Sequence, residues 1–227
     1  MVWGGAAAAF LIWRPIHDST MRYGIVAALV IVWAGLITRL WQGKAGRFAA
    51  MALPLVAAIP FLLPGKELDR AKLQSDYLKG MRSFIGSNYV WGGESDRGID
   101  CSGLPRRALR DALKSQALHG NGTAARQWIK QWWFDTSAKA MKEGYRDFTR
   151  ETGIGGWMTK LDPARLEPGD LAVTDSGRHV MIYLGAGEWI QADPGPGKVL
   201  VEKPGQDDNP WFDSKVSIHR WTVLDAR

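Results

Sequence analysis

The first 63 residues contain three apolar runs, Met1–Trp13, Tyr23–Thr38 and Phe48–Leu63, separated by the polar stretches Arg14–Arg22 and Arg39–Arg47. The second and third runs have 16 residues each. A helix of that length covers about 24 Å, a little short of a hydrocarbon core of roughly 30 Å. Trp41 and neighbouring residues extend these runs to the interface. A water-soluble core could also bury such helices, but two prolines, Pro54 and Pro60, within an almost charge-free run favour lipid. The first run is 13 residues long with no basic residue ahead of it, so it lacks the charged leader of a signal peptide and is short for a span. It is read as membrane-embedded, which leaves two or three membrane helices.

Arg39, Lys44 and Arg47 lie between the two stronger runs with no acidic residue among them. The positive-inside rule places that loop in the cytoplasm and everything after Leu63 outside the cytoplasmic membrane, whether or not the first run spans. Of the formal charge of +6, residues 1–63 carry +4, so the basic excess belongs mostly to the hydrophobic end. No basic stripe interleaved with aromatics occurs beyond it, and no nucleic-acid partner is expected. The runs lack the intramembrane ionisable residues of a transport pathway.

The 227 residues suffice for one catalytic domain plus an accessory segment. We divide the chain into a membrane anchor over 1–65 and a domain over 66–227. Pro64-Gly65 breaks the last apolar run, and Leu68, Leu73, Tyr77, Leu78, Met81, Phe84 and Ile85 predict an amphipathic helix over Lys66 to about Gly86. A turn-rich stretch, Asn88–Gly98, leads to a second helix starting at or near Cys101, with Pro105 tolerated in its first turn. Residues 115–165 read as helices with loops, an insertion without a motif. From Leu166 come short runs with strand character, Asp170–Thr174, His179–Leu184, Glu188–Ala192, Lys198–Glu202 and Val216–Val223. Helices first and strands afterwards imply an α+β domain with helices packed on an antiparallel sheet.

A single cysteine excludes an intrachain disulfide and a multi-cysteine zinc cage, and no metal or cofactor is expected. Cys101 is then either a buried hydrophobe or a nucleophile. A thiol reacts as thiolate, and the N–H groups at a helix N-terminus are expected to lower its pKa. Of the four histidines, His179 alone begins a strand beside a turn. His17 falls in the membrane-proximal loop, His119 in a Gly-flanked loop and His219 in the last strand, where surface or packing roles suffice.

Four blocks occur in order: Tyr89-Val90-Trp91-Gly92-Gly93, Asp100-Cys101-Ser102-Gly103-Leu104, Leu166-Glu167-Pro168-Gly169-Asp170-Leu171 and His179-Val180-Met181-Ile182-Tyr183-Leu184-Gly185. Each alone reads as a turn or a core strand. Together, over roughly residues 73–223, they resemble the NlpC/p60 family of papain-like cysteine peptidases, although Pro105 departs from the usual aliphatic and the 115–165 insertion is longer than expected. The resemblance implies Cys101 as nucleophile and His179 as the base that holds a thiolate ion pair and protonates the leaving amine. It places Tyr89, Trp91, Asp100 and Ser102 around the substrate, with the Cys101 or Ser102 N–H stabilising the oxyanion. The third polar member falls on Gln191, with Asp193 as the competing choice. The implied reaction is cleavage of an amide in peptidoglycan stem peptide. Alternatives are Cys-His amidase or acyltransferase chemistry on a non-wall substrate, and a non-catalytic wall-binding module.

Overall fold

The computed structural model describes residues 2–16 and 18–225; His17 lies outside the described residues. Helix α1 (Val2–Trp13) has 12 residues, about 18 Å at the helical rise, too short to cross a bilayer. Asp18 then caps α2 (Ser19–Leu40) by accepting the Met21 N–H at 2.8 Å. A tight turn leads to α3 (Lys44–Leu62), and there a Cβ on Gly46 would lie 2.2 Å from the Leu40 carbonyl oxygen. At 22 and 19 residues, α2 and α3 run to roughly 33 and 28 Å. Both exceed the 16-residue apolar runs because α2 takes in Ser19–Arg22 and α3 begins at Lys44. These are the two described helices long and apolar enough to cross a membrane. Their apolar side chains, among them Phe48, Leu55, Phe61 and Leu62, are exposed, as expected of a membrane segment whose solvent is lipid.

Asp69 caps α4 (Arg70–Arg82), accepting the Lys72 N–H at 2.9 Å, so the helix is shorter at both ends than its apolar pattern suggests. Leu73, Tyr77 and Met81 form its buried stripe. A small hairpin, β1 (Glu94–Ser95) with β2 (Gly98–Ile99), precedes α5 (Gly103–Leu118). Helices α4 and α5 cross closely at Gly80, where a Cβ would sit 3.4 Å from that of Ala108.

The insertion holds α6 (Gly122–Trp133), α7 (Ala138–Lys142) and a strand, β3 (Thr149–Trp157). That strand corrects the reading of 115–165 as helices and loops. Its sequence, Thr-Arg-Glu-Thr-Gly-Ile-Gly-Gly-Trp, is mostly exposed and lacks apolar alternation; pairing with the last strand, not local propensity, makes it extended. Strands β4 (Leu171–Thr174), β5 (Val180–Gly185), β6 (Glu188–Asp193), β7 (Lys198–Glu202) and β8 (Lys215–Trp221) complete a six-stranded sheet of order β3-β8-β4-β5-β6-β7. Every pairing in it is antiparallel.

Period-2 alternation sends Leu171, Val173, Val180 and Ile182 to the face covered by α4 and α5. Ala172, Met181, Tyr183 and Ile218 go to the other face, packed with Met158, Leu166 and Phe212. Because both faces are covered, the central strands read as continuous apolar runs. The Pro168-Gly169-Asp170 block is a structural corner: Gly169 adopts φ +101°, and Asp170 takes a bidentate bond from Arg220 at 2.7 and 3.0 Å. The result is an α+β domain with helices over one face of an antiparallel sheet.

Candidate active site

Cys101 occupies the turn just before α5, with Ser102 at the cap position. Asp100 shapes this turn. One of its carboxylate oxygens accepts the Gly103 N–H at 2.6 Å and the Ser102 hydroxyl at 3.0 Å, and the other accepts the Gly92 N–H at 2.8 Å. Asp100 therefore staples the Trp91-Gly92-Gly93 turn to the helix start. Gly103 is required there, since a Cβ would lie 2.2 Å from the Gly93 carbonyl oxygen. The thiol is 7% exposed and points at the Arg178 carbonyl, 3.8 Å away.

His179 enters from the strand side. It exchanges backbone bonds with Thr174, its N–H donating to Oγ1 and its carbonyl accepting the Thr174 N–H, both at 3.1 Å. Its Nε2 faces Gln191 Oε1 at 2.6 Å, and Gln191 Nε2 donates to Glu202 at 2.7 Å. An ionised carboxylate only accepts, so Glu202 fixes the amide with its oxygen toward the ring. The imidazole then carries its proton on Nε2 and keeps the Nδ1 lone pair free. Asp193, the competing partner, holds Asn209 at 2.7 Å and Trp211 at 3.3 Å instead. Trp211 stacks on the imidazole, with ring centroids 4.1 Å apart and planes at 12°.

Cys101 and His179 line one cleft of about 790 Å³ together with Tyr89, Trp91, Asp100, Ser102 and Trp211. Trp91 stands at its rim, 81% exposed. The candidate residues thus converge, with Gln191 behind the histidine. His119 caps the end of α5, and His219 bonds Ser217 at 2.9 Å in β8. Neither of them lines the cleft.

Two further walls were not anticipated. Asp135, Ser137 and Ala138 come from the insertion, and Ile16 and Asp18 from the connection between the first two helices. Under them lies a buried ion cluster. Glu94 receives Arg106 at 3.0 Å, Arg110 at 2.8 Å and Arg22 of α2 at 3.6 Å, while Asp135 pairs with Arg106. Burial pushes the Glu94 carboxyl up, but Arg106 and Arg110 outweigh it and hold the carboxyl below the usual range. Isolated arginines and a turn glutamate gave no sequence signal for this cluster. Glu202 had one: the Pro194-Gly195-Pro196-Gly197 turn pairs Gln191 with Leu200, and Glu202 lies two residues on, along the same sheet face.

The expected lowering of the thiol pKa is overturned. Burial, then the Asp100 carboxylate, push Cys101 up to about 12, although the N–H groups of Val180, Ser102 and Cys101 act in the other direction. Burial likewise lowers His179 to about 4, against the pull of Gln191 and Asp193. Both shifts favour the uncharged forms, a thiol and a neutral imidazole.

A cysteine at a helix start and a histidine just ahead of a strand line one cleft, with helices on one side of an antiparallel sheet. The chain belongs to the NlpC/P60 family, whose sequence model matches residues 86–211. Its fold is similar to RipB, a peptidoglycan hydrolase from Mycobacterium tuberculosis, at 20% identity over 74% of this chain and 72% of that one, with a TM-score of 0.44. It is also similar to the P60 domain of an antigen from M. avium subspecies paratuberculosis, at 19% identity over 70% and 99% of the two chains, with a TM-score of 0.39. The NlpC/p60 domain of the peptidoglycan hydrolase SagA gives 22% identity, 64% and 97% coverage and a TM-score of 0.39. No curated protein matches the chain.

Proposed function

We propose that this protein is a membrane-anchored cysteine hydrolase that cleaves an amide in peptidoglycan stem peptide. Membership of the NlpC/P60 family supports a cell-wall hydrolase. The observation that carries the mechanism is the relay His179–Gln191–Glu202, which leaves Nδ1 of a neutral imidazole free in the cleft that holds Cys101. In the first step Cys101 Sγ bonds to the scissile carbonyl carbon while its proton passes to His179 Nδ1. The C–N bond breaks, Nδ1–H protonates the leaving amine, and a thioester remains. Water then adds to the thioester, giving its proton to Nδ1, and the thiol departs reprotonated. The backbone N–H groups of Cys101 and Ser102 are the candidate donors to the oxyanion. Tyr89, Trp91, Asp100 and Ser102 surround the substrate, Asp100 by holding the turn.

Residues 1–65 form the anchor and 66–227 the hydrolase domain. The hairpin supports one orientation: the start of α2 and the end of α3 both adjoin the domain, which leaves Arg39, Lys44 and Arg47 at the opposite end. By the positive-inside rule the domain lies on the outer side. Digestion of purified muropeptides, with products identified by mass, tests the activity. Products that persist undiminished with Cys101→Ala would rule out the thiol mechanism, and a reporter fused after Arg227 that works only in the cytoplasm would reverse the topology.

A further inference from the structure

The catalytic cleft is fastened to the membrane segment at two places, with no free linker between. At the first, Pro15 C=O accepts the Glu94 N–H at 3.0 Å, Ile16 forms a β-bridge with Gly93, and Trp13 C=O accepts Arg97 at 2.8 Å. Arg22, in the first turn of α2 and 1% exposed, enters the ion cluster of Glu94 and Asp135. At the second, the Gly122 N–H donates to Pro64 C=O at 3.0 Å and Arg126 to Leu63 C=O at 3.0 Å. A Cβ on Gly122 would lie 2.3 Å from the Leu63 oxygen, so the end of α3 rests directly on α6.

These contacts fix how far the site can travel. An extended chain reaches about 3.3–3.6 Å per residue, but residues 63 and 64 are already bonded to the domain and α4 begins at Arg70. A domain that harvests a polymer tens of ångströms above a bilayer needs a long flexible tether. Here the cleft stays at the bilayer surface. Its own wall is Ile16 and Asp18, which lie between the end of α1 at Trp13 and the start of α2 at Ser19. Phe10, Ile12 and Trp13, all exposed, begin an apolar band immediately beside that wall.

We infer that the substrate is a stem peptide still carried on a membrane lipid, brought to the cleft by lateral diffusion, rather than peptide in the finished wall. This rests on the amide-hydrolase and membrane readings proposed above.

The test uses the full chain reconstituted in phosphatidylethanolamine–phosphatidylglycerol vesicles. One stem peptide is offered in three forms: on a polyprenyl-pyrophosphate carrier in the same vesicles, as free muropeptide, and in isolated wall sheets. The expected result is at least tenfold faster cleavage of the lipid-carried form than of wall sheets at equal peptide, with the ratio collapsing when the protein is moved to detergent micelles. Equal rates on wall sheets and lipid-carried peptide from the vesicle-bound protein would overturn the inference and leave the hydrolase reading standing. Failure to cleave any of the three forms would overturn both. Release of fatty acid from the vesicles in place of peptide cleavage would overturn the inference in favour of acyl chemistry on lipid.

Discussion

Helices α3 and α5 are of similar length and have opposite fates. The 19 residues of α3 are almost all apolar, yet Ala50 alone is buried; α5 has 16 residues with four arginines or lysines and buries ten, Arg106 and Arg110 among them. Burial therefore follows the partner and not the hydropathy of the segment. Helix α5 has a sheet and α4 to cover it, and its arginines are buried because Glu94 meets them. Helix α3 touches protein along one edge and leaves the rest exposed. Between the two stands α2, whose buried residues, Met21, Arg22, Ile25 and Ala28, all fall in its first half, the end that meets the catalytic domain.

The contrast breaks most sharply at a single atom. Cys101→Ala should lower muropeptide turnover by more than about 10³-fold, since the nucleophile is deleted, while stability falls by only about 1 kcal/mol, because a single sulfur is removed from the wall of a cleft. A calorimetric scan beside the rate assay separates the two effects.

Glu94→Ala sharpens the comparison from the stability side. Removing the carboxylate takes from Arg110 its Glu94 partner and leaves Asp135 to face both Arg106 and Arg22, and breaking such a buried cluster costs about 3–5 kcal/mol. The matched change at an exposed position, Leu55→Ala in α3, should cost the domain less than about 0.5 kcal/mol. Equal effects on the melting of the domain would show that α3 is part of its core.

The protonation states give the next effect. With the thiol held near pH 12 and His179 near pH 4 by burial, the thiolate fraction grows with pH throughout the neutral range. Iodoacetamide labelling of Cys101 should rise about tenfold per pH unit from 6 to 9. A plateau across that range would establish a preformed thiolate–imidazolium pair. Below about pH 4 the imidazole is protonated and turnover should fall, because no base is left to take the thiol proton.

Gln191→Ala should reduce turnover less than His179→Ala, by roughly 10- to 100-fold, the value of a buried hydrogen bond of about 1.5–3 kcal/mol. Gln191→His should retain more activity than Gln191→Ala. Glu202→Gln should have the smallest effect, because an amide still bonds Gln191 but no longer dictates which way it points. If Asp193→Ala proves more damaging than Gln191→Ala in side-by-side rates, the stacked Trp211 matters more than the amide.

Much of this was legible in the residues, for a physical reason. Cys101, His179 and Gln191 are framed by turns and strands whose pattern is local, and the β5–β6 hairpin over Gly185–Gly187 by itself brings Gln191 behind His179. The central strands were equally readable, since their apolar character is continuous. Strand β3 was not, because its extended form comes from pairing with β8 some 60 residues later. The same holds for the ion cluster: Arg22, Glu94, Arg106 and Asp135 meet only in three dimensions, and burying charge runs against what composition suggests. The direction of the thiol shift is not legible in the sequence, because the helix terminus is local whereas the burial that outweighs it comes from residues packed around Cys101 in three dimensions.

The bridge between Ile16 and Gly93 also has a bearing on how the molecule is assembled. Residue 16 leaves the ribosome long before residue 93, and both apolar helices lie between them in the chain. The packing of α4 on α5 and the sheet ladders involve residues from 70 onward, so that core can condense by itself, whereas the wall made of Ile16 and Asp18 closes only after α2 and α3 have taken their places side by side. Such a long-range contact is late in a folding sequence, since the loop must be closed before the contact rewards it. The last piece of the cleft to be set is thus the first piece synthesised, and a chain that has not yet packed its α2–α3 hairpin carries a thiol and an imidazole but not the completed cleft around them.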